Sequence, residues 1–266
     1  MSGRIRSSSA ARTFDVTDMK RPIAIIGMGQ LGGVFGHGLL RLGHPVVPIL
    51  RGDSIAQIES RDPELVLVAV AEGDLADVLD AIPASMRSRV ALLQNELLPP
   101  DWERHGIIEP TVAIVWFEKK RGRPAHVIDT TRISGPHAEL MVSALEAVDL
   151  PAEAIDAGAL PLALVRKNLY ILGSNLAGWA VSGTTGELVR EHREQTVAIV
   201  DDVLSIEEAR LGYPLPRQAL IEAVFADFER DPNHATKGRS ASERLARAIA
   251  RADEKGLAIP AIRSLT

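Results

Sequence analysis

Short apolar runs alternate with helical patterns through the first half of the chain. Five runs, rich in β-branched and other apolar residues, lie at positions 22–26, 45–50, 65–70, 90–93 and 111–117. Such runs are typical of strands buried on both faces of a parallel sheet, although Pro45 and Pro48 would be awkward in a central strand. Helical patterns extend from the first run to Leu42 and cover positions 75–82. The alternation predicts an α/β domain with a doubly wound parallel sheet.

The pattern changes in the second half of the chain. Segments 125–129 and 131–134 indicate a hairpin, and segment 138–148 fits one more helix. After Ala157 the apolar positions recur at helical spacing, in segments 162–180, 187–211, 217–229 and 241–255. We therefore predict an α/β domain at 21–157 and an all-helical domain at 158–266. Residues 1–20, rich in Ser and Arg, are expected to form a disordered extension.

Composition narrows the class of protein. Apolar residues make up 46% of the 266 residues and charged residues 24%, as in globular proteins. The formal net charge of -5 gives no reason to expect nucleic acid or an anionic membrane as a partner. The absence of cysteine excludes disulfides, thiolate metal sites and a cysteine nucleophile. The apolar runs are too short to span a bilayer, so a cytoplasmic location is the default expectation.

A glycine-rich turn joins the first predicted strand to the first predicted helix. Gly27, Gly29 and Gly32 have the spacing G-x-G-x-x-G. In this context the first glycine permits a tight turn, the second lets a pyrophosphate approach the backbone, and the third lets helix and strand pack closely. The alternative is an ordinary glycine-rich turn. The motif predicts a Rossmann domain that binds a dinucleotide through Gly27, Met28, Gly29, Gln30, Leu31 and Gly32.

The end of the second predicted strand bears on the identity of the dinucleotide. Arg51 comes directly off the strand, and Asp53 follows two residues later. An acidic residue here would bind the ribose 2′-OH of NAD, whereas an arginine accommodates the 2′-phosphate of NADP. A guanidinium suits a phosphate because it can donate two parallel hydrogen bonds. We favour Arg51 and NADP(H) over Asp53 and NAD.

Further motifs resemble those of the ketopantoate reductase family. After the glycine turn they follow the family's order and spacing: Leu50-Arg51, Gln94-Asn95, Arg166-Lys167 ahead of Asn175, Thr185-Gly-Glu-Leu188 and Gly256-Leu-Ala-Ile-Pro260. The resemblance covers nearly all of the chain from Pro22 onward. It implies a Rossmann domain followed by a helical domain that serves substrate binding and dimerisation. It also implies NADPH-dependent reduction of a 2-keto acid.

The resemblance assigns roles to four residues. Arg51 would contact the 2′-phosphate, and Asn95 would lie near the nicotinamide and the substrate. Lys167 would be the catalytic lysine that donates a proton to the developing alkoxide, and Asn175 would line the substrate pocket. Helical geometry independently returns Ser174 and Asn175 to the side of Lys167 after two turns, with Ser174 the better aligned. We therefore include Ser174 among the candidate substrate-binding residues.

Several positions depart from the family pattern. Ile171 stands where the family has an asparagine, Glu72 follows the third strand near the place of a cofactor-binding lysine, and Glu96 replaces a glycine. The family's C-terminal glutamate falls on Ser240, with Glu243 one helical turn away. Four basic residues are candidates to bind a ligand or to be solvated loop residues: Lys119, Lys120, Lys237 and Arg239.

These departures leave the cofactor site largely intact and bear on the substrate. We expect an NADP(H)-dependent reductase of a small 2-keto acid other than ketopantoate. One alternative is a dehydrogenase that uses NAD through Asp53. A second, from another class, is a non-catalytic NADP(H)-binding regulatory or sensor protein, suggested by the missing asparagine and glutamate. A homodimer is left open by the sequence.

Overall fold

The computed structural model describes residues 20–238 and 240–266. Apart from Lys20, the predicted N-terminal extension lies outside the described residues. The five apolar runs of the first half contain five strands: β1 (Ile23–Ile26), β2 (Val46–Ile49), β3 (Leu65–Val68), β4 (Val90–Leu92) and β5 (Thr111–Ile114). The helices between them are α1 (Gln30–Arg41), α2 (Ile58–Arg61), α3 (Leu75–Ala81) and α4 (Pro99–Glu103).

Seven of the strands in the described residues form one mostly parallel sheet. After β5 come β6 (Phe117–Glu118), β7 (His126–Val127), β8 (Thr131–Ser134), α5 (Ala138–Glu146) and β9 (Ala152–Ala154). The sheet order is β2-β1-β3-β4-β5-β8-β9, and β8 is antiparallel to β5. The doubly wound sheet predicted from the sequence is confirmed. The chain order reverses between β1 and β3, and such a reversal opens a ligand-binding crevice at the carboxyl ends of the strands.

Strand pairing differs from the sequence prediction in two places. The predicted hairpin of segments 125–129 and 131–134 is wrong, because β7 pairs with β6 in a separate two-stranded sheet while β8 pairs with β5. Strand β9 was not predicted. Pro45 precedes β2, and Pro48 is accommodated because β2 is an edge strand. The carbonyls of Pro45 and Ile49 accept from the backbone N–H groups of Ile23 and Gly27, so the nitrogen of Pro48 faces the open edge, where its missing N–H breaks no ladder bond.

The rest of the chain is helical. Its helices are α6 (Leu160–Ala180), α7 (Thr185–Glu191), α8 (Arg193–Leu211), α9 (Arg217–Arg230), α10 (Ala241–Lys255) and α11 (Pro260–Arg263). The predicted helix 187–211 is in fact two helices, which meet at His192, where φ is -127°. Helix α7 begins with a capping box, in which Thr184 and Glu187 satisfy each other's backbone N–H groups. No helix in the described ranges has the length and apolar character that a bilayer crossing would need.

The central strands divide their side chains between two apolar layers. Ile23 and Ile25 pack on the layer that contains α1 and α5, and Ala24 and Ile26 pack on the layer that continues into α6, α8 and α9. Helices α1 and α5 approach so closely that a Cβ on Gly38 would lie 1.8 Å from the Ala144 carbonyl oxygen. Burial of both sheet faces explains why the strands read as continuous apolar runs.

Candidate active site

The glycine turn has the geometry that a dinucleotide needs. Gly27 has φ +94°, and a Cβ there would lie 2.8 Å from the Ala69 carbonyl oxygen. A Cβ on Gly32 would lie 2.1 Å from the Gly27 carbonyl oxygen, so only glycine lets α1 pack on the turn. A Cβ on Gly29 would meet nothing within 4 Å, which leaves open space beside the backbone at the start of α1. The turn therefore fits a pyrophosphate placed at a helix N-terminus.

The two candidate residues after β2 are in different situations. The Asp53 carboxylate accepts a hydrogen bond from the backbone N–H of Leu50 at 2.8 Å, so it holds the turn together. The Arg51 side chain is 93% exposed, and its guanidinium lies 3.2 Å from Asp74. An ion pair this exposed is weak, so the guanidinium is available to a phosphate.

A cavity of about 810 Å³ lies between the carboxyl edge of the sheet and the helical part of the chain. The glycine turn contributes Gln30 and Leu31 to its wall, the end of β4 contributes Leu93 and Asn95, and α6 contributes Lys167, Tyr170, Ile171 and Asn175. The remaining lining residues are Val115, Phe117, Glu118, Lys119, Lys120, Arg121, Ile128, His234, Ala235, Lys237, Gly238 and Arg244. The cavity thus joins the predicted cofactor turn to the predicted catalytic lysine.

Lys167 is a buried basic residue of this cavity whose pKa is strongly lowered. Its side chain is buried, and the ammonium lies 4.1 Å from the centre of the Trp116 ring and 5.3 Å from that of Tyr170. Among the described residues it has no ion-pair or hydrogen-bond partner. Burial lowers the pKa of Lys167 to about 7, and the nearby Arg244 charge acts in the same direction. An amine with such a pKa can release a proton near neutral pH, as a general acid must.

Of the two other predicted residues on α6, only one lines the cavity. Asn175 lines the cavity, and its Oδ1 accepts a hydrogen bond from the Arg244 guanidinium at 2.9 Å. Ser174 is not among the lining residues, and its assignment to the substrate pocket is corrected. Its hydroxyl is buried and donates to the Tyr170 carbonyl at 2.7 Å, one turn back along the helix. Ser174 supports Asn175, whose Nδ2 lies 3.4 Å from the Ser174 Oγ.

Asn95 follows β4 and lines the cavity, and its amide nitrogen is held by Glu72. Its Nδ2 donates to Glu72 Oε1 at 3.0 Å, which leaves the amide oxygen for a ligand. Glu72 orients Asn95 and also lies 3.5 Å from Arg244.

Glu96 joins the two parts of the chain. Its φ of +63° is one that a glycine adopts without cost. The buried carboxylate lies 2.6 Å from Arg247, 2.9 Å from Arg251 and 3.3 Å from Arg244, all on α10. Burial alone would raise the pKa of Glu96, but the hydrogen bond from Arg247 and the charges of the three arginines lower it. Glu96 is therefore an ionised, buried anchor for α10.

The residue that α10 places in the cavity is Arg244, which sequence reasoning missed. Ser240 precedes the helix, and Glu243 is exposed outside the cavity, so neither brings a carboxylate to it. The available signal was the spacing of Arg244, Arg247 and Arg251, which puts three arginines on one helical face. Such a face indicates a buried acidic partner.

Three of the remaining basic candidates, Lys119, Lys120 and Lys237, line the cavity and differ in how strongly neighbouring groups engage them. The Lys119 ammonium donates to the backbone carbonyls of Lys120 and Arg123, and Lys120 pairs with Glu118 at 2.9 Å. The Lys237 ammonium lies 4.4 Å from the centre of the Trp179 ring. Arg239 lies outside the described residues.

Tyr170, next to Ile171, places a buried hydroxyl group in the cavity wall. The Oη of Tyr170 has no hydrogen-bond partner among the described residues. Burial raises the pKa of Tyr170, so the hydroxyl remains protonated and able to donate. An unpartnered donor in a cavity is expected where a ligand completes the hydrogen bonding.

The fold has close counterparts among solved structures. A 2-dehydropantoate 2-reductase from Methylococcus capsulatus superposes with a TM-score of 0.67 at 16% identity, over 92% of this chain and 94% of that one. A dimeric ketopantoate reductase from Staphylococcus aureus gives 0.65 at 15% identity, over 92% and 96%. The fold is that of the ketopantoate reductases.

The same fold includes enzymes with other names. A D-mandelate dehydrogenase in a ternary structure with NADH and anilino(oxo)acetate gives a TM-score of 0.64 at 14% identity, over 92% of this chain and 96% of that one. No protein-family model and no curated protein sequence matches the chain. The ketopantoate reductase fold thus extends over the chain at very low identity, and the site residues must be argued from their own geometry.

Proposed function

We propose that this protein is an NADP(H)-dependent reductase of a small 2-keto acid. The observation that carries the proposal is the buried ammonium of Lys167 in a cavity that reaches the glycine turn. Burial lowers the pKa of this ammonium to about 7. Burial of an ammonium without an anionic partner is costly, so a role in catalysis accounts for its retention. The names of the structural neighbours support the same class of reaction.

The cofactor's place follows from the residues that fit it. Gly27, Gly29 and Gly32 would admit the pyrophosphate, and Arg51 would bind the 2′-phosphate. When bound, NADPH supplies the hydride. We assign residues 21–157 to the cofactor and residues 158–266 to substrate binding and to a homodimer contact, with the dimeric Staphylococcus aureus neighbour as support for the latter.

The chain's own residues perform the remaining steps. Lys167 donates its proton to the carbonyl oxygen as that oxygen becomes an alkoxide, and its positive charge stabilises the developing negative charge. Asn95, after β4, and Asn175, on α6, orient the substrate. Trp116 and Tyr170 exclude water from the ammonium, which keeps its pKa low.

A test uses the oxidation of NADPH in the presence of a panel of 2-keto acids. The wild-type protein should turn over at least one of them, and Lys167→Ala should reduce kcat by about 10² to 10⁴ because general acid catalysis typically contributes that much. The Kd for NADPH should change little, since the lysine is not at the phosphates.

Two outcomes would contradict the proposal. Tight NADPH binding with no turnover of any panel member would favour the sensor protein. A Lys167→Ala variant with wild-type kcat and an unchanged pH profile would show that another group supplies the proton. Leu162→Ala is the control on the same helix, because Leu162 is exposed and does not line the cavity.

A further inference from the structure

Arg244 differs from the other arginines of α10 in where its guanidinium lies. All three contact the Glu96 carboxylate, but only Arg244 is part of the cavity wall. Its side chain is 11% exposed, so most of the group is removed from bulk water. A charge in that position interacts with a ligand more strongly than an exposed charge does.

The two carboxylates near Arg244, those of Glu96 and Glu72, have closer hydrogen-bond or ion-pair partners than Arg244. Glu96 already has Arg247 at 2.6 Å and Arg251 at 2.9 Å, each closer than Arg244 at 3.3 Å. Glu72 is 3.5 Å from Arg244 and accepts a shorter hydrogen bond from Asn95. The Nε of Arg244 is the atom that faces Glu96. Its Nη1 and Nη2 each make one contact, to Asn175 at 2.9 Å and to Glu72 at 3.5 Å, so each of these nitrogens keeps a second N–H for a ligand.

Arg244 also fixes the orientation of Asn175. A guanidinium has donors only, so the Asn175 atom 2.9 Å from it must be the amide oxygen. The Asn175 amide nitrogen is thereby turned toward the Ser174 side, where its one contact is long, at 3.4 Å. Arg244 and Asn175 are thus held together as neighbours on the wall of the same cavity.

We infer that Arg244 binds the carboxylate of the substrate. A planar guanidinium matches a carboxylate with two parallel hydrogen bonds. Glu118, the single acidic residue among the described cavity-lining residues, is paired with Lys120 and does not compete for Arg244. The inference rests on the proposed function for the identity of the reaction. It predicts that the protein selects 2-keto compounds that carry a carboxylate over those that do not.

The experiment compares wild type, Arg244→Met and Arg244→Lys on a 2-keto acid that the wild type reduces and on its neutral 2-keto amide. For the acid, Arg244→Met should raise KM by about 10- to 100-fold, the usual worth of a hydrogen bond to a charged group. Its kcat should change much less, and the Kd for NADPH should stay within about twofold of wild type. For the amide, wild type and Arg244→Met should have nearly equal kcat/KM. Arg244→Lys keeps the charge without the fork and should be intermediate on the acid.

Arg251→Met is the matched control, because it removes an ion pair to Glu96 outside the cavity. It should lower the melting temperature without changing KM for the acid. An Arg244→Lys variant that folds and has wild-type KM, or an equal loss on acid and amide, would overturn the assignment of Arg244.

A binding measurement separates this inference from the proposed function. Oxamate is an unreactive carboxylate analogue of a 2-keto acid, and oxamide is its neutral counterpart. The wild-type protein with NADPH should be stabilised against thermal unfolding by oxamate and not by oxamide, and Arg244→Met should lose the oxamate effect. If no 2-keto acid is reduced but oxamate binding depends on residue 244, the proposed function fails while the inference stands. If oxamate binding is unaffected by Arg244→Met, the inference fails whatever the turnover.

Discussion

The proposed role of Lys167 as the acid predicts how activity depends on pH. In that role the ammonium must be protonated, and burial lowers its pKa to about 7. As pH rises through this value the acid form is lost, so kcat/KM should fall about tenfold per pH unit above about pH 7. The measurement is kcat/KM for a reduced 2-keto acid between about pH 5.5 and 9. A profile that stays level to pH 9 would mean that Lys167 keeps an ordinary pKa or is not the acid.

The preference for NADPH over NADH is also expected to depend on a single residue, Arg51. Arg51 is free to bind a phosphate, whereas Asp53 is engaged by the Leu50 N–H. Arg51→Ala should remove about one to two decades of the preference for NADPH over NADH, as expected for charged contacts to phosphate. Titration of each variant with both cofactors measures it. Asp53→Asn is the control and should leave the preference unchanged. Equal affinities in the wild type would instead support NAD as the cofactor.

Residues whose role depends on a local motif could be predicted from the sequence, but others could not. The glycine turn is set by consecutive residues, so its geometry was foreseeable. Arg244 approaches Glu72 across 172 positions of the chain, and no local pattern contains that contact. The sequence analysis included both Ser174 and Asn175, and only Asn175 lines the cavity. Helical phase fixes the Cβ direction and not the position of the ammonium at the end of the long Lys167 side chain.

At the scale of elements, the contact between α10 and the end of β4 depends on Glu96. Glu96→Gly would relieve a left-handed backbone conformation, worth about 1–3 kcal/mol. It would also leave three arginines facing each other without their shared carboxylate, a loss typically of about 3–5 kcal/mol. The second effect is larger, so the melting temperature should fall by about 2–8 °C.

Thermal unfolding of Glu96→Gly beside Glu96→Gln tests this balance. Both variants lose the charge, but only the glycine variant loses the strain, so it should be the more stable of the two. A melting temperature above that of the wild type for Glu96→Gly would show that the strain outweighs the ion pairs.

The elements predicted well from the sequence are those with a continuous apolar run or a long stretch of apolar residues at helical spacing. Strands β1 to β5 and helix α10 have such patterns. Strand β9 is the segment Ala-Glu-Ala, whose residues have low strand propensity, so only its pairing with β8 makes it a strand. The supposed hairpin failed because adjacency in sequence suggested a partner, whereas β8 gains more by extending the main sheet beside β5.

At the scale of the whole molecule, the cavity favours some substrates over others. Ile171 presents an apolar surface where the family resemblance implies an amide, and neither Ser240 nor Glu243 supplies a carboxylate. A substrate hydroxyl left without a partner typically costs about 1–3 kcal/mol. Ketopantoate, which carries a hydroxyl on its side chain, should therefore have a lower kcat/KM than unsubstituted or branched 2-keto acids.

A comparison of kcat/KM with NADPH across that panel is the measurement. Ile171→Asn should shift the ratio toward ketopantoate if the apolar wall is responsible. Ketopantoate as the best substrate of the wild type would show that Tyr170 or His234 provides the contact that Ile171 lacks.

The edge position of Pro48 has a consequence for the behaviour of the protein in concentrated solution. An open strand edge invites a strand from another molecule, which can begin aggregation. On β2 such a strand would meet no N–H at Pro48, and at the opposite edge β9 has only three residues to offer. Growth of the sheet from one molecule into the next is thus discouraged at both ends. Self-association of this protein is therefore expected to use surfaces other than the two edges of this sheet.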